Sequence, residues 1–349
     1  MTLNNPSACA QPLIRRIATE EAFTIPEVVV ALRDVIQAPG QSLDLEVLRR
    51  VYGASLDSRS GLLSALLDLE DGRVRDMDEN GVAMHLLSLT YPGVQLFDAD
   101  TATDLAILAN DRLAETIRRH PSRYAGLASF APQSPLRAAK EMERAINRLK
   151  LNGFIVNSHT NNEYLDNRKY WPILEAAEAL EACVYLHPRA PSDGMAGPFR
   201  DYGLDNATWG FGIETGTHAV RLILSGVLDR FPKLKLCLGH MGEGVHFWLY
   251  RIDLMQARAQ SWGIVPKLQM KPSEYFVRNF VITTCGQEDH LALDYSIKKL
   301  GVANVLWSID YPFQSTAAAV SFVDTAPISD VDRAAIYHIN AERVFHIGT

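Results

Sequence analysis

The chain lacks the features that mark secreted, membrane-spanning and nucleic-acid-binding proteins. Its 349 residues include only four cysteines and no CxxC pair, which argues against a disulfide framework or a zinc ribbon and suits a reducing compartment. The first residues show no cationic start followed by an apolar core, so we expect no secretory signal. No apolar run comes near the roughly 18 residues that a spanning helix needs, so we expect a cytoplasmic protein with no membrane partner.

Long runs of basic residues are absent as well. Lys and Arg total 34 against 41 Asp and Glu, and the formal net charge is −7. The sequence therefore offers no electrostatic footprint for a nucleic acid. The dinucleotide-binding pattern GxGxxG does not follow the first apolar run. Hydrophobic residues make up 47% of the chain and charged residues 21%, which is typical of a globular protein with a large core.

Short apolar runs alternate with longer amphipathic runs from residue 16 onward. The apolar runs read RRIATEEAF, GVAMHLLSLT, RYAGLASF, NGFIVNSH, ACVYLHP, KLKLCLGH, NFVITTC and NVLWSIDYPF. Strands that are apolar throughout and alternate with helices indicate a parallel sheet covered on both faces. Eight such units favour an α/β fold of the closed (β/α)8 type, a TIM-like barrel. No Gly/Ser-rich linker divides the chain, so we predict a single domain, residues 1–349.

Two segments are too long or too irregular for simple connections. Residues 24–75 separate the first two strands and exceed one crossover helix, so they are predicted to form a helical capping insertion over the barrel mouth. Residues 189–213 are rich in Gly and Pro and follow the fifth strand. Long loops after barrel strands commonly shape a substrate pocket, so this segment is predicted to be a substrate loop.

Polar residues end several of the predicted strands. Glu20, His187 and Asp310 end the first, fifth and eighth strands. Each alone is typical of an ordinary strand end, core position or turn. Because the carboxyl ends of barrel strands meet at one mouth, the three together favour a catalytic metal site. Two carboxylates and one imidazole suit Mn²⁺, Mg²⁺ or Zn²⁺, and three protein ligands leave coordination positions open.

A second motif, GHMGEG, follows the sixth strand. Its His240 and Glu243 are close enough in sequence for the carboxylate to orient the imidazole. Two other histidines are predicted to pack in the core, because His85 lies in a strand and His218 lies in a predicted helix.

Motifs that span nearly the whole chain carry a resemblance to a known family. They read IATEEAF, SLTYPGVQ, NSH, YLHP, ETGTHAVRLILSGVLDRFP, LGHMGEG, WLYRID and SIDYPF. In this order they resemble the amidohydrolase superfamily, in its ACMSD-like decarboxylase branch. The sequence is most similar to the ortho-hydroxybenzoate decarboxylases, a group that includes 5-carboxyvanillate, γ-resorcylate and 2,3-dihydroxybenzoate decarboxylases. RIATEEAF and GFGIETG favour the first of these.

The resemblance implies a divalent metal held by Glu20, His187 and Asp310. Mn²⁺ is the first candidate, Zn²⁺ and Mg²⁺ are alternatives, and no organic cofactor is implied. In hydrolytic members of the superfamily the first strand ends in HxH, whereas this chain reads Glu20-Glu21-Ala22. The missing second imidazole would release one coordination position to the substrate.

The resemblance also implies roles for residues around the metal. Asp310 is the first choice for the proton donor and His240, tuned by Glu243, is the second. The predicted substrate-binding residues are Arg251, Arg59, Tyr91 and His159.

The predicted function is metal-dependent, non-oxidative decarboxylation of an ortho-hydroxylated aromatic acid, by protonation of the ring carbon and release of CO₂. Two alternatives stay open: hydrolysis or hydration of a carbonyl compound at the same metal, and a metal-free barrel that binds an aromatic acid without turnover. The absence of HxH argues against hydrolysis. The predicted partners are a small aromatic carboxylate and further copies of the chain, in a homodimer or homotetramer.

Overall fold

Eight short, buried strands alternate with helices in the structure, a computed structural model that describes residues 14–40, 42–51 and 61–348. The strands are β1 (Ile17–Phe23), β2 (Met84–Leu89), β3 (Tyr124–Ser129), β4 (Gly153–Asn157), β5 (Val184–His187), β6 (Leu236–Leu238), β7 (Phe280–Thr283) and β8 (Val305–Leu306). They lie side by side in chain order, and each neighbouring pair is parallel. Each lies within a predicted apolar run, which confirms the (β/α)8 fold.

The two ends of the sheet meet through hydrogen bonds between β1 and the segment after β8. The backbone N–H and the hydroxyl of Thr19 donate to the Trp307 carbonyl oxygen at 3.2 Å and 2.8 Å. The backbone N–H of Ala22 donates to the Tyr311 carbonyl oxygen at 2.8 Å. These bonds close the barrel, so the sheet leaves no open edge between its first and last strands.

Helices connect the strands along the chain. They are α1 (Pro26–Gln37), α2 (Leu43–Val51), α3 (Gly61–Leu67), α4 (Asp71–Glu79), α5 (Ala99–Arg119), α6 (Pro135–Asn147), α7 (Trp171–Ala179), α8 (Gly210–Leu224), α9 (Val227–Arg230), α10 (Gly239–Gly242), α11 (Val245–Ser261), α12 (Pro272–Asn279), α13 (His290–Leu300), α14 (Thr316–Asp324), α15 (Asp330–Ala334) and α16 (Asn340–Val344). Short 3₁₀ turns cover Arg168–Tyr170, Gly197–Phe199 and Val302–Asn304, and a π-helix covers Ala335–Ile339. None of the helices in the described ranges is long and apolar enough to cross a membrane.

Successive residues of each strand face opposite sides of the sheet. In β2, Leu86 packs with Leu127 and Phe345 in one buried cluster, whereas Leu87 packs with Leu113 of α5 in another. The first cluster fills the barrel interior and the second joins the barrel to its helices. Phe345 is buried at the end of the barrel where the strands begin, since its Cδ1 lies 3.4 Å from the position that a Cβ would take at Gly153, the first residue of β4.

The described residues between β1 and β2 include helices α1–α4, which we call the cap. Leu48 of α2 and Leu66 of α3 belong to a buried cluster with Ala22 at the end of β1. The cap therefore packs on the barrel where the strands end. The predicted insertion 24–75 includes residues outside the described ranges, so its bounds and the single domain 1–349 stay predictions.

Helix α2 of the cap is linked by ion pairs to the predicted substrate loop, residues 189–213. In the innermost pair, Arg189 Nη2 lies 2.7 Å from Asp44 Oδ2, and the two side chains are only 2% and 5% exposed. The pairs nearer the surface are Arg200–Glu46 and Arg50–Asp205. These three ion pairs join helix α2 of the cap to the loop 189–213 at the barrel mouth.

Candidate active site

Four polar side chains from different strands meet at the mouth of the barrel. Glu20 lies in β1, His187 ends β5, His240 follows β6 and Asp310 follows β8. The Nε2 atoms of His187 and His240 lie 3.8 Å and 3.9 Å from Glu20 Oε1. His240 Nε2 also lies 4.0 Å from Asp310 Oδ2. We call these four residues the mouth cluster; it contains all three predicted metal ligands, whose ligand roles stay predictions.

The two oxygens of the Glu20 carboxylate have different surroundings. Oε2 accepts hydrogen bonds from the Tyr185 hydroxyl, from Thr283 Oγ1 at 2.9 Å and from the Cys285 thiol at 2.7 Å. Oε1 is buried and has no hydrogen-bond partner among the described residues. Burial raises the pKa of Glu20, but nearby His240 and the donors outweigh this and lower the pKa. Glu20 is therefore an anion with one oxygen left for a ligand.

Both imidazoles of the mouth cluster present Nε2 to Glu20. His187 Nδ1 lies 2.9 Å from the Pro188 carbonyl oxygen, and His240 Nδ1 lies 2.8 Å from Glu243 Oε1. Because only a ring N–H can donate to these acceptors, the proton of each neutral ring is assigned to Nδ1. In His187 the lone pair of Nε2 then points toward Glu20, which is the arrangement typical of metal-binding histidines.

Two residues of the mouth cluster have left-handed backbone conformations. The φ angles are 50° for His240 and 71° for Asp310, and such strain is found most often at functional sites. Burial raises the pKa of Asp310. Burial lowers the pKa of His240, but the carboxylates of Glu243 and Glu20 outweigh it and raise the pKa well above its usual value. Without a bound cation, both groups therefore hold a proton more strongly than usual.

Cys285 is a member of this site that the sequence analysis missed. Potential ligand atoms of Glu20, His240 and Cys285 all lie within 4.8 Å of one another. Burial raises the pKa of the Cys285 thiol to about 12, so the thiol is protonated and acts as a donor to Glu20. Its position just after Thr283, where β7 ends, is the signal that could have identified it.

Two predicted substrate-binding residues, Tyr91 and His159, lie in a buried network beneath the cap. The Tyr91 hydroxyl donates to Asp44 Oδ1 at 2.7 Å, and Arg189 Nη1 donates to the His159 carbonyl oxygen at 2.6 Å. His159 Nε2 lies 3.1 Å from the Ala190 carbonyl oxygen. Asp44 and Arg189 were not predicted, although Arg189 follows His187-Pro188 directly at the end of β5. The substrate-binding roles of Tyr91 and His159 stay predictions.

The two predicted substrate-binding arginines are not in the mouth cluster. Arg251 is exposed on α11, and no polar contact joins it to the mouth cluster within the described ranges. Arg59 lies outside the described residues. His85 and His218, which were predicted to pack in the core, are both buried. His218 Nε2 accepts the backbone N–H of Leu165 at 3.0 Å, which fits a role in packing.

Comparison with protein families and curated proteins gives consistent matches. The amidohydrolase family model matches residues 57–347. A γ-resorcylate decarboxylase from Polaromonas sp. is 38% identical over 276 residues, which cover 77% of this chain and 84% of that protein. A γ-resorcylate decarboxylase from Rhodococcus jostii is 34% identical and covers 90% of this chain and 93% of its own.

Solved structures give matches over nearly the whole chain. The 5-carboxyvanillate decarboxylase of Sphingomonas paucimobilis is 53% identical, with a TM-score of 0.93, covering 96% of this chain and 99% of that one. The 5-carboxyvanillate decarboxylase of Novosphingobium aromaticivorans, solved with manganese and 4-hydroxy-3-methoxy-5-nitrobenzoic acid, is 36% identical, with a TM-score of 0.89 and 96% coverage of both chains. This chain therefore belongs to the amidohydrolase family, in its ACMSD-like decarboxylase branch.

Proposed function

We propose that this protein catalyses the metal-dependent, non-oxidative decarboxylation of an ortho-hydroxylated aromatic acid. The first candidate substrate is 5-carboxyvanillate, and dihydroxybenzoates are the second. The observation that carries the proposal is Glu20 Oε1, a buried carboxylate oxygen without a partner among the described residues that faces two imidazole nitrogens. The named decarboxylases among the relatives support the reaction class.

The donor set of the mouth cluster fits a divalent cation. Glu20, His187 and Asp310 would hold it, and Mn²⁺ is the first choice because two carboxylates and one imidazole form a largely oxygen-donor site; Zn²⁺ and Mg²⁺ are alternatives. Manganese in related solved structures supports this choice. When bound, the cation supplies a template and a Lewis acid for the carboxylate and the neighbouring phenolate of the substrate. The reaction needs no organic cofactor.

The chain's own contribution to the chemistry is a proton. Loss of CO₂ from an aromatic ring leaves an electron pair in the ring plane with no sink, so the ring carbon that bears the carboxylate must first be protonated. Asp310 is the proposed donor and would have to carry a proton and shift from the metal toward the ring to deliver it. His240, held by Glu243 through a 2.8 Å hydrogen bond, is the second candidate. The carbon–carboxylate bond then breaks, its electron pair restores the aromatic ring, and CO₂ leaves.

The proposed binding residues orient the acid. Arg59 is proposed to bind a substrate carboxylate, since a guanidinium offers two parallel donors that lysine cannot match. The same role stays proposed for Arg251, although it is exposed on α11 and lies outside the mouth cluster. Tyr91 and His159 are proposed to shape the pocket from the buried network around Asp44.

A product analysis in D₂O tests the proposed reaction. Purified protein is incubated anaerobically with Mn²⁺ and, in separate reactions, 5-carboxyvanillate, 2,3- and 2,6-dihydroxybenzoate and salicylate. We expect CO₂ from at least one acid and one deuterium at the vacated ring carbon, with neither product formed by Glu20→Gln. Absence of CO₂ from all four acids contradicts decarboxylation, and CO₂ without ring deuterium contradicts ring protonation. In a parallel reaction in ¹⁸O-labelled water, incorporation of ¹⁸O into the aromatic product would indicate hydrolysis or hydration instead.

We further propose that the protein works in the cytoplasm as a homodimer or homotetramer. The described cysteines, Cys183, Cys237 and Cys285, are all free, which suits a reducing compartment. Aromatic residues on α11 support self-association, because Phe247 and Tyr250 are 68% and 77% exposed. Sedimentation analysis tests the assembly: a monomer at micromolar concentration would contradict it.

A further inference from the structure

Three uncharged donors converge on one oxygen of Glu20. The Tyr185 hydroxyl of β5, the Thr283 hydroxyl of β7 and the Cys285 thiol all donate to Oε2. The donors also contact one another, since the Thr283 hydroxyl oxygen lies 3.0 Å from the Tyr185 hydroxyl and 3.6 Å from Cys285 Sγ. All four side chains are buried. We call Tyr185, Thr283 and Cys285 the Glu20 clamp.

The alternation of side chains along strands explains why the clamp lies directly beneath the mouth cluster. Tyr185 and His187 are two residues apart on β5, so both side chains point into the barrel, with Tyr185 one layer deeper. Thr283 and Cys285 have the same spacing at the end of β7. The clamp therefore grips Glu20 from below and leaves its upper oxygen, Oε1, toward His187 and His240.

We propose that Tyr185, Thr283 and Cys285 are positioning residues that fix the Glu20 carboxylate so that it offers a single oxygen, Oε1, to the divalent metal. This inference rests on the proposed function, because it presumes that a metal binds at the mouth cluster. Nothing in the reaction itself requires these residues to touch the substrate.

Two physical effects favour this role. The terminal torsion of a glutamate is broad and roughly two-fold, so an unrestrained carboxylate exchanges its two oxygens. Three donors on Oε2 remove that freedom before the metal arrives. In addition, hydroxyl and thiol donors carry no charge, so they orient the carboxylate without competing with the cation for it. Loss of a partner of a metal ligand commonly weakens metal binding about 10- to 100-fold.

The decisive experiment compares Mn²⁺ affinity between Tyr185→Phe and the unmodified protein. The EPR signal of free Mn²⁺ reports binding without any turnover. We expect Tyr185→Phe to bind Mn²⁺ at least about tenfold more weakly, because the ring stays and only the donor is lost. The matched control is Tyr337→Phe, since the Tyr337 hydroxyl also donates from a buried position to a carboxylate, Asp324, at 2.7 Å. We expect unchanged affinity for it.

A second pair of variants separates the hydrogen-bond donor of Thr283 from the volume of its side chain. Thr283→Val keeps the volume and removes the hydroxyl, whereas Thr283→Ser keeps the hydroxyl. We expect weaker Mn²⁺ binding for Thr283→Val and near-normal binding for Thr283→Ser. This pair also decides the matter if Tyr185→Phe does not fold. Cys285→Ala and Cys285→Ser follow the same logic, with Cys183→Ala as the control for loss of a buried thiol.

The outcomes separate the inference from the proposed function. If the unmodified protein binds no Mn²⁺, the proposed metal site is wrong. If it binds Mn²⁺, and Tyr185→Phe and Thr283→Val bind Mn²⁺ equally well, the proposed function stands and the positioning role of the clamp is overturned. If the variants lower the melting temperature of the metal-free protein but leave Mn²⁺ affinity unchanged, the three residues serve stability alone, which also overturns the inference.

Discussion

Gly239 lies beside the Glu20 carboxylate, and its lack of a side chain is what leaves room for that group. A Cβ atom at this position would lie 2.8 Å from Glu20 Oε1 and 2.9 Å from Oε2. The carboxylate cannot yield easily, because its Oε2 is held by three donors. We therefore expect Gly239→Ala to fold but to bind Mn²⁺ at least about tenfold more weakly, measured by EPR titration.

Gly61→Ala is the matched control for this substitution. A Cβ atom at Gly61 meets no described residue within 4 Å, so we expect only the general effect of adding a methyl group. We expect its Mn²⁺ affinity to equal that of the unmodified protein. Equal affinity for Gly239→Ala would show that Glu20 can move aside without consequence.

His246 predicts a pH dependence of stability. It lies against Ser296, with 2.9 Å between Nε2 and Oγ, and burial lowers its pKa to about 4, against roughly 6.5 in the unfolded chain. As the pH falls, His246 is therefore protonated in the unfolded state before it is protonated in the folded state. The free energy of unfolding should fall by at most about 3 kcal/mol as the pH drops from about 6.5 to about 4.

Urea denaturation across this pH range checks the effect of His246. His246→Gln should show a shallower decline between about pH 6.5 and 4 than the unmodified protein. Between pH 7 and 8 the two proteins should depend on pH alike, which serves as the internal control. Parallel declines at low pH would exclude His246 as a contributor.

Helix α2 and the loop 189–213 share one enclosed ion pair, Arg189–Asp44. Asp44→Asn would leave the Arg189 guanidinium buried without its counter-charge. Breaking one partner of a buried pair typically costs about 3–5 kcal/mol, so we expect a clear loss of melting temperature. Hydrogen exchange should also quicken in residues 43–51 and 189–213.

Glu46→Gln is the control on the same helix. The Arg200–Glu46 pair is exposed, with side chains 41% and 31% accessible, and exposed pairs contribute about 1 kcal/mol or less. We expect little change in melting temperature or exchange. Similar losses of melting temperature for Asp44→Asn and Glu46→Gln would mean that burial of the Arg189–Asp44 pair adds no stability.

For the whole molecule, metal binding should stabilise the barrel against unfolding. Glu20, His187 and Asp310 come from the first, fifth and last strands, so a cation that they share joins distant parts of the chain. A ligand at a hundredfold excess over its Kd stabilises the folded state by about 2.7 kcal/mol. We expect Mn²⁺ to raise the melting temperature, EDTA to reverse this, and Glu20→Gln to show no shift.

The barrel could be predicted from the sequence because each strand is a separate apolar run and chain order alone fixes its neighbours. The meeting of Glu20, His187 and Asp310 followed from the same rule. The contacts of Cys285 and Tyr185 with Glu20 could not be predicted, because they depend on how far each strand is staggered across the barrel interior. The pairing of Asp44 with Arg189 depends on how the cap folds back, which no local pattern specifies. The role of Arg251 was predicted from the resemblance alone, and in the structure its side chain is exposed to solvent on α11.

The three ion pairs between α2 and the loop differ in their access to water, from the enclosed Arg189–Asp44 pair to the open Arg200–Glu46 pair. Dissolved ions screen open pairs and hardly reach enclosed ones. As salt is added, the links should weaken in sequence from the outside inward. The enclosed Arg189–Asp44 pair would therefore still join α2 to the loop at salt concentrations that have already screened the Arg200–Glu46 pair.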